Sequence, residues 1–189
     1  MTSYNGQRGH LLKFSSAGAF QAAYDFGWDS TPAVWQHGGT YSIIIKDNHY
    51  QTGLYCGSNN PACQPLLPDG PYYITQLNPQ MQVEWKFQST NTKSCQRNPI
   101  GSTTCVSDHP NGFEWCINMP AVDMNGNVFV NGEDGNIYAL PQGHTGVFTN
   151  PGSSMFLNLA IGAAYTPLSI GPDGRLYTQN AGHLFVVGN

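Results

Sequence analysis

Charge is scarce in this chain. Seven Lys and Arg and eleven Asp and Glu are spread over 189 residues, and the formal net charge is −4. Soluble domains carry about a quarter charged residues, so a charged helical bundle, a coiled coil and an acidic tail are all excluded. The few cations are scattered, and a nucleic-acid surface needs them clustered to displace counterions from phosphate. No nucleic-acid partner is therefore expected. Long apolar runs are missing too. None approaches the roughly 20 residues that span a bilayer, so no membrane span is expected. Met1 to Arg8 contains no apolar stretch of the kind a signal peptide needs. The G-x-S-x-G, P-loop and dinucleotide-binding fingerprints do not occur.

What is present is turn-forming and aromatic. There are 22 Gly, 13 Pro and 17 Asn, with 10 Tyr, 9 Phe and 4 Trp. Many turns and aromatics with few charges point to an all-β protein.

The most informative feature is an internal repeat in three blocks. The first block is an aromatic, a short spacer, Pro and a small apolar residue: Trp28 to Pro32-Ala33-Val34, Trp115 to Pro120-Ala121-Val122, and Tyr165-Thr166-Pro167-Leu168. A glycine turn and a β-rich run follow, at Gly39 to Ile45, Gly126 to Val130 and Gly174 to Thr178. A second Gly-led strand then recurs, at Gly9 to Phe14, Gly70 to Ile74, Gly135 to Leu140 and Gly182 to Val187. Its leading glycines lie 61, 65 and 47 residues apart. The last interval is the bare unit, and the first two carry insertions near 51–70 and 89–112.

Strands are predicted at 9–14, 41–46, 72–77, 83–88, 127–131, 136–140, 175–179 and 183–187. Phe156 to Ile161 is read as strand, because Gly162 and its place in the repeat disfavour helix. Asn125-Gly126, Asp134-Gly135 and Asp173-Gly174 read as two-residue hairpin turns. A unit of about 47 residues with about four short strands matches a propeller blade. A β-sandwich with accidentally similar hairpins is the alternative.

The units resemble the PQQ-repeat, quinoprotein-like (BamB-like) β-propellers. This family includes bacterial outer-membrane assembly lipoproteins and the quinoprotein alcohol dehydrogenases. The resemblance is carried by Asn127 to Leu140, by Asp173 to Tyr177 with Gly182 to Phe185, and more weakly by Leu77-Asn78 with Val83 to Phe87. The family's blade-closing segment runs through Asp and Thr-Gly to a docking Trp. Here Pro79, Gln80 and Met81 stand in place of Thr-Gly, and Tyr24 takes the Trp place after Gly18. The resemblance implies four-stranded antiparallel blades over 9–69, 70–134 and 135–181, with the start of the next at 182–189. Residues 1–189 then form one partial propeller, an incomplete ring whose relatives close with six to eight blades. Its partners are the remaining blades, or another chain, met through open edge strands. The isolated chain is expected to self-associate or be partly unfolded.

The resemblance also raises the quinone cofactor. The dehydrogenases stack it on a disulfide of adjacent cysteines beside a calcium held by carboxylate and Asn. This chain has no adjacent cysteines and no matching ligand set, so no PQQ is expected. Calcium is left open without a motif for it: Asp123 to Asn127 starts like a calcium loop but lacks the distal Glu. No metal site is assigned, since no pair among His10, His144 and His183 has ligand spacing.

The five cysteines suggest an oxidising compartment. Cys56 with Cys63, and Cys95 with Cys105, bound short polar loops of the kind disulfides staple, which leaves Cys116 free. Five free thiols are the alternative, and the tight spacing of structural zinc is missing. A periplasmic or secreted protein is expected. With no signal peptide in the chain, it is read as a segment of a longer protein or a mature form.

Two segments are dense enough in polar groups to be candidate ligand-binding sites. Lys46-Asp47-Asn48-His49-Tyr50 follows an apolar strand and offers donors and acceptors at a propeller mouth, or forms only a strand end with an Asp-Asn turn. In Asp108-His109 and Glu114-Trp115, the carboxylates suit a hard cation and His109 a general base; Asn111-Gly112 between them reads as a turn. No catalytic residue is assigned. The leading reading is a non-enzymatic extracytoplasmic binding or scaffold module. The alternative is a fragment of a propeller enzyme, quinoprotein dehydrogenase-like or lyase-like, with catalytic residues partly elsewhere.

Overall fold

A computed structural model describes residues 9–26, 30–48, 71–115, 119–157, 167–180 and 182–188. Among them the chain is all-β, with no helix. Strands β1 (Gly9–Phe14) and β2 (Phe20–Phe26) form an antiparallel hairpin. Strands β3 (Ala33–His37), β4 (Thr40–Asn48), β5 (Tyr72–Leu77) and β6 (Val83–Gln88) pair antiparallel in chain order. Strands β7 (Lys93–Arg97) and β8 (Thr103–Ser107) pair only with each other. Strands β9 (Ala121–Val122), β10 (Val128–Asn131), β11 (Asn136–Leu140) and β13 (Ser153–Phe156) make a second four-stranded antiparallel sheet. Strands β14 (Ser169–Ile170), β15 (Leu176–Asn180) and β16 (His183–Val187) make the last.

All eight strands expected from the sequence are present. The three repeat blocks are successive strands of a sheet. The Pro-Ala and Pro-Leu blocks lead into β3, β9 and β14, the glycine-turn runs become β4, β10 and β15, and β5, β11 and β16 follow the second leading glycine. Among the described residues the expected four-stranded antiparallel meander is complete only at β3–β6 and at β9, β10, β11 and β13, since the first layer has two strands and the last three. Strand β12 (Gly146–Phe148) leaves its own unit between β11 and β13 and pairs parallel with β6, from Gly146 opposite Trp85 to Phe148 opposite Phe87. The 33–88 sheet therefore has five strands.

The sheets are stacked in series, and alternation along each strand explains why. In β4, Ile43 and Ile45 join a cluster with Phe26, Leu77 and Met81 against the β1–β2 hairpin. Ile44, between them, points the other way. It packs with Ile74, Trp85, Phe87, Trp115, Val128, Val130, Tyr138 and Leu140 between the 33–88 and 121–156 sheets. Strand β10 repeats this: Val128 and Val130 face back, while Phe129 faces the last sheet beside Ile137, Leu168 and Leu176. Each central sheet is thus covered on both faces, unlike a two-layer sandwich, in which each sheet buries one face.

The hairpin turns correct one expectation. Only Gly126, Gly135 and Gly174 of the Asn-Gly and Asp-Gly pairs have positive φ, so these are not the two-residue turns in which both central residues need it. Each is a longer loop, closed for example by Gly126 N–H to Asp123 O and Asp123 N–H to Asn127 O. The same loop forms at Asn78 to Gln82, and there a non-glycine, Met81, takes the left-handed position at φ 64°. That conformation costs roughly 1–2 kcal/mol in an L-residue. Burial of the Met81 side chain among Ile43, Ile45 and Leu77 offsets it.

Cys95 and Cys105 face each other across β7 and β8 and form a disulfide. Cys56, Cys63 and Cys116 lie outside the described residues. A lone two-stranded hairpin is marginal in water, and β8 is exposed along its whole length, so the cross-link holds this arm. The chain-entropy model gives about 3 kcal/mol for a loop of this size. Replacing both cysteines by Ala is expected to abolish hydrogen-exchange protection across 93–107 while leaving that of β4, β5 and β6 unchanged. Retained protection in the arm would show that strand pairing alone suffices.

Candidate functional site

The polar residues that end β4 are drawn inside by the same alternation that buries its isoleucines. Lys46, Asp47 and Asn48 are each at most 2% exposed. Asp47 continues the face of Ile43 and Ile45. Its Oδ2 accepts hydrogen bonds from Tyr24 Oη at 2.7 Å, Thr75 Oγ1 at 2.9 Å and Lys86 Nζ at 2.8 Å. Lys86 Nζ also lies 4.8 Å from the centre of the Tyr73 ring and 5.7 Å from that of Tyr24, near enough for cation–π attraction. Burial, and then the Asp47 charge, pushes the phenols of Tyr24 and Tyr73 above the ordinary tyrosine range. Both stay protonated, as donors to or neighbours of a carboxylate.

Asn48 turns to the opposite face. Its Nδ2 donates to Trp115 O at 2.9 Å, and Trp115 N–H donates to its Oδ1 at 3.2 Å. The amide thus pairs with the Trp115 main chain as a peptide in a neighbouring strand would. Nδ2 also reaches Glu114 Oε1 at 3.4 Å. The two sequence segments are therefore brought together through Asn48, Glu114 and Trp115. Trp115 is 1% exposed and packs against Phe87 and Tyr138. His49 and Tyr50 lie outside the described residues.

Asp108 and His109 sit apart from that contact, exposed at the base of the disulfide arm. Ser94 Oγ donates to Asp108 Oδ2 at 2.6 Å, and His109 Nδ1 lies 2.7 Å from Oδ1. The His109 ring stacks on Phe113 with centres 3.7 Å apart. The Ser94 hydroxyl, and after it His109, holds the Asp108 carboxyl down to about 2. These bonds tie the strand ends of the arm. Among the described residues no three of His, Cys, Asp and Glu are grouped to hold a metal ion.

A third cluster was not anticipated. Asp134, 2% exposed, accepts from Asn91 Nδ2 at 2.8 Å, from the Tyr138 hydroxyl and from Asn136 N–H. Burial and the Asp134 charge raise the Tyr138 phenol beyond the ordinary range, while Ser89 and Asn91 bond it as well. The signal was legible as spacing. Gly-x-Asp-Gly-x-x-Tyr occurs at Gly132 to Tyr138 and again at Gly171 to Tyr177, where Tyr177 Oη donates to Asp173 Oδ2 at 3.1 Å. The first glycine is required in both. A Cβ on Gly132 or Gly171 would fall within 2.7 Å or 2.6 Å of the aspartate Oδ1 and against the tyrosine ring. With Asp134 bound in this way, the end of the stack where β4 and β6 finish carries three clusters that are largely internally bonded.

No protein-family model matches the chain, and no curated protein matches it.

Two outcomes test this electrostatic account. Lys86→Met removes the ammonium that bonds the buried Asp47 carboxylate, and a loss of about 3–5 kcal/mol is expected in denaturant melts. Adding Asp47→Leu to that variant should recover part of the loss. The Asp108 carboxyl should titrate at about 2 in carbon NMR instead of the usual 3.8. Because its folded value is depressed, its contribution is complete above 3.8 and is lost as pH falls through about 2. Ser94→Ala should move the midpoint upward, and an unmoved midpoint would remove the hydroxyl as cause.

Proposed function

We propose that this chain is an arc of a PQQ-repeat-type β-propeller serving as a binding or scaffold module outside the cytoplasm. The observation that carries the reading is serial burial: repeated antiparallel sheets, each central one covered by the sheet before it and the sheet after it. Radially repeated sheets of about four strands are the propeller solution to that requirement. The outer faces of the two end layers carry the same pattern. Leu12, Phe14 and Phe20 are 41–52% exposed on the β1–β2 hairpin, and Leu184 and Val186 are 67% and 50% exposed on the last sheet. Strands apolar on both faces are built for cover on both faces. The cover is further blades of the same kind.

A module reading is favoured over chemistry by how the polar residues are used. Asp47, Asn48 and Asp134 bond hydroxyls, amides, an ammonium and main chain of their own protein. They are placed as joints between sheets. The described residues also fit a quinone poorly: Cys95 and Cys105 are ten residues apart and join two strands of a projecting arm. The disulfide supports an oxidising compartment. Among the described residues no helix is long and apolar enough to cross a membrane.

Light scattering of the purified chain tests the reading. Self-association is expected, and Leu12→Lys, Phe14→Lys, Leu184→Lys and Val186→Lys together should yield monomers that melt no lower. A monodisperse monomer without the substitutions would overturn the claim that further blades cover these faces.

A further inference from the structure

One cleft in the molecule matches a ligand by its chemistry. It opens at the end of the stack where β6 and β12 finish, beside the base of the disulfide arm, and holds about 340 Å³. That is the lower end of the range for small-molecule sites. Thr90, Asn91, Asn136, Thr149 and Ser154 line it, together with Pro151 and the buried Phe87, Ser89 and Tyr138. None of the lining residues is charged. Thr90, Thr149 and Ser154 are exposed, so their hydroxyls are open to solvent or ligand.

The Asn91 amide is held in place before any ligand arrives. Asn91 donates from Nδ2 to Asp134 and accepts the Lys93 N–H at Oδ1, while Asn136 Nδ2 approaches Asp134 O at 3.5 Å. A primary amide has two N–H donors and two carbonyl lone pairs, so Asn136 keeps a donor and an acceptor to offer, while Asn91, which also bonds the Tyr138 hydroxyl, keeps a carbonyl lone pair. Fixed groups lose little entropy on binding.

We propose that this cleft binds a neutral saccharide, an inference that rests on the reading of the protein as a binding module. Hydroxyls and amides both donate and accept, and so do sugar hydroxyls. An ionic ligand would find no counter-charge in the lining, and an apolar one would strip water from polar groups without replacing their bonds. The cleft is open at the surface, so a free sugar and the end of a longer glycan present the same chemistry to it.

Saturation-transfer NMR on the full chain tests this, with maltose, cellobiose, lactose and N,N′-diacetylchitobiose as free sugars and soluble amylose and xyloglucan as polymers. At least one probe is expected to bind. Ser154→Trp, which places an indole in the opening from an exposed position, should weaken that binding by about tenfold or more, an effect of the size expected when a ligand is displaced from its contacts. Thr149→Tyr is the second blocking variant should Ser154→Trp melt lower. Binding of the free sugars, or of the polymers alone, supports the proposal when blocking removes it and tells the two sources apart. If no probe binds, or binding survives both blocked variants with unchanged melts, the proposal is overturned. The propeller-module reading is judged separately, by light scattering, and does not depend on this outcome.

Discussion

Each central sheet has to satisfy both of its faces at once, and most other features follow from that constraint. A strand buried on one side can alternate apolar with polar residues. A strand buried on both cannot, and β4 is accordingly Ile43-Ile44-Ile45 with no solvent face to spare. Where such a strand must end, its polar residues are already inside. Asp47 is then bonded by Tyr24, Thr75 and Lys86 from three other strands, and Asn48 by the main chain of Trp115. The low charge of the whole chain reflects the same economy of solvent-facing surface, since a stacked sheet has only its ends and edges in water.

The polar clusters differ in what they fasten. Asp47 ties β2 of the first hairpin to the 33–88 sheet, and Asp134 ties the segment after β6 to the β10–β11 turn of the next sheet. Both stand at junctions where side-chain packing is shared between units. A hydrogen bond there is directional where apolar contact is not, so these carboxylates set the rotation of one sheet on another as well as stabilising it. A buried pair such as Asp47–Lys86 is weak evidence for net stability, because desolvation opposes the attraction. Its removal on one side only is what costs most.

How far the sequence could be read follows from how each element is encoded. Strands such as β4, β6 and β11 announce themselves through Ile, Val, Tyr and Phe in runs or alternation, and they form where expected. Strand β2 carries Ala22 and Ala23, β13 is Ser153-Ser154-Met155-Phe156, and β7 is Lys-Ser-Cys-Gln-Arg. These residues have little intrinsic strand preference, so pairing partners decide them. Strand β12 depends wholly on a neighbour distant in sequence. At the candidate site, the density of polar groups in 46–48 and 114–115 was visible, and their meeting through Asn48 was not, because a side chain acting as a strand partner leaves no periodic signal. Asp134 was hidden for a different reason: an Asp before Gly reads as a turn, and only the tyrosine four residues later marks its second role.

Strand β12 gives the molecule a property that stacked layers alone lack. Units joined only through side chains behave as beads whose coupling is a contact energy, and each can in principle open alone. Here the 121–156 unit lends a strand to the sheet before it, so main-chain hydrogen bonds cross the boundary as well. Separating the two central sheets then requires breaking the β6–β12 ladder as well as the side-chain contacts. Under a pulling force, the three-residue strap between Gly146 and Phe148 acts as a mechanical clamp on the seam between the units.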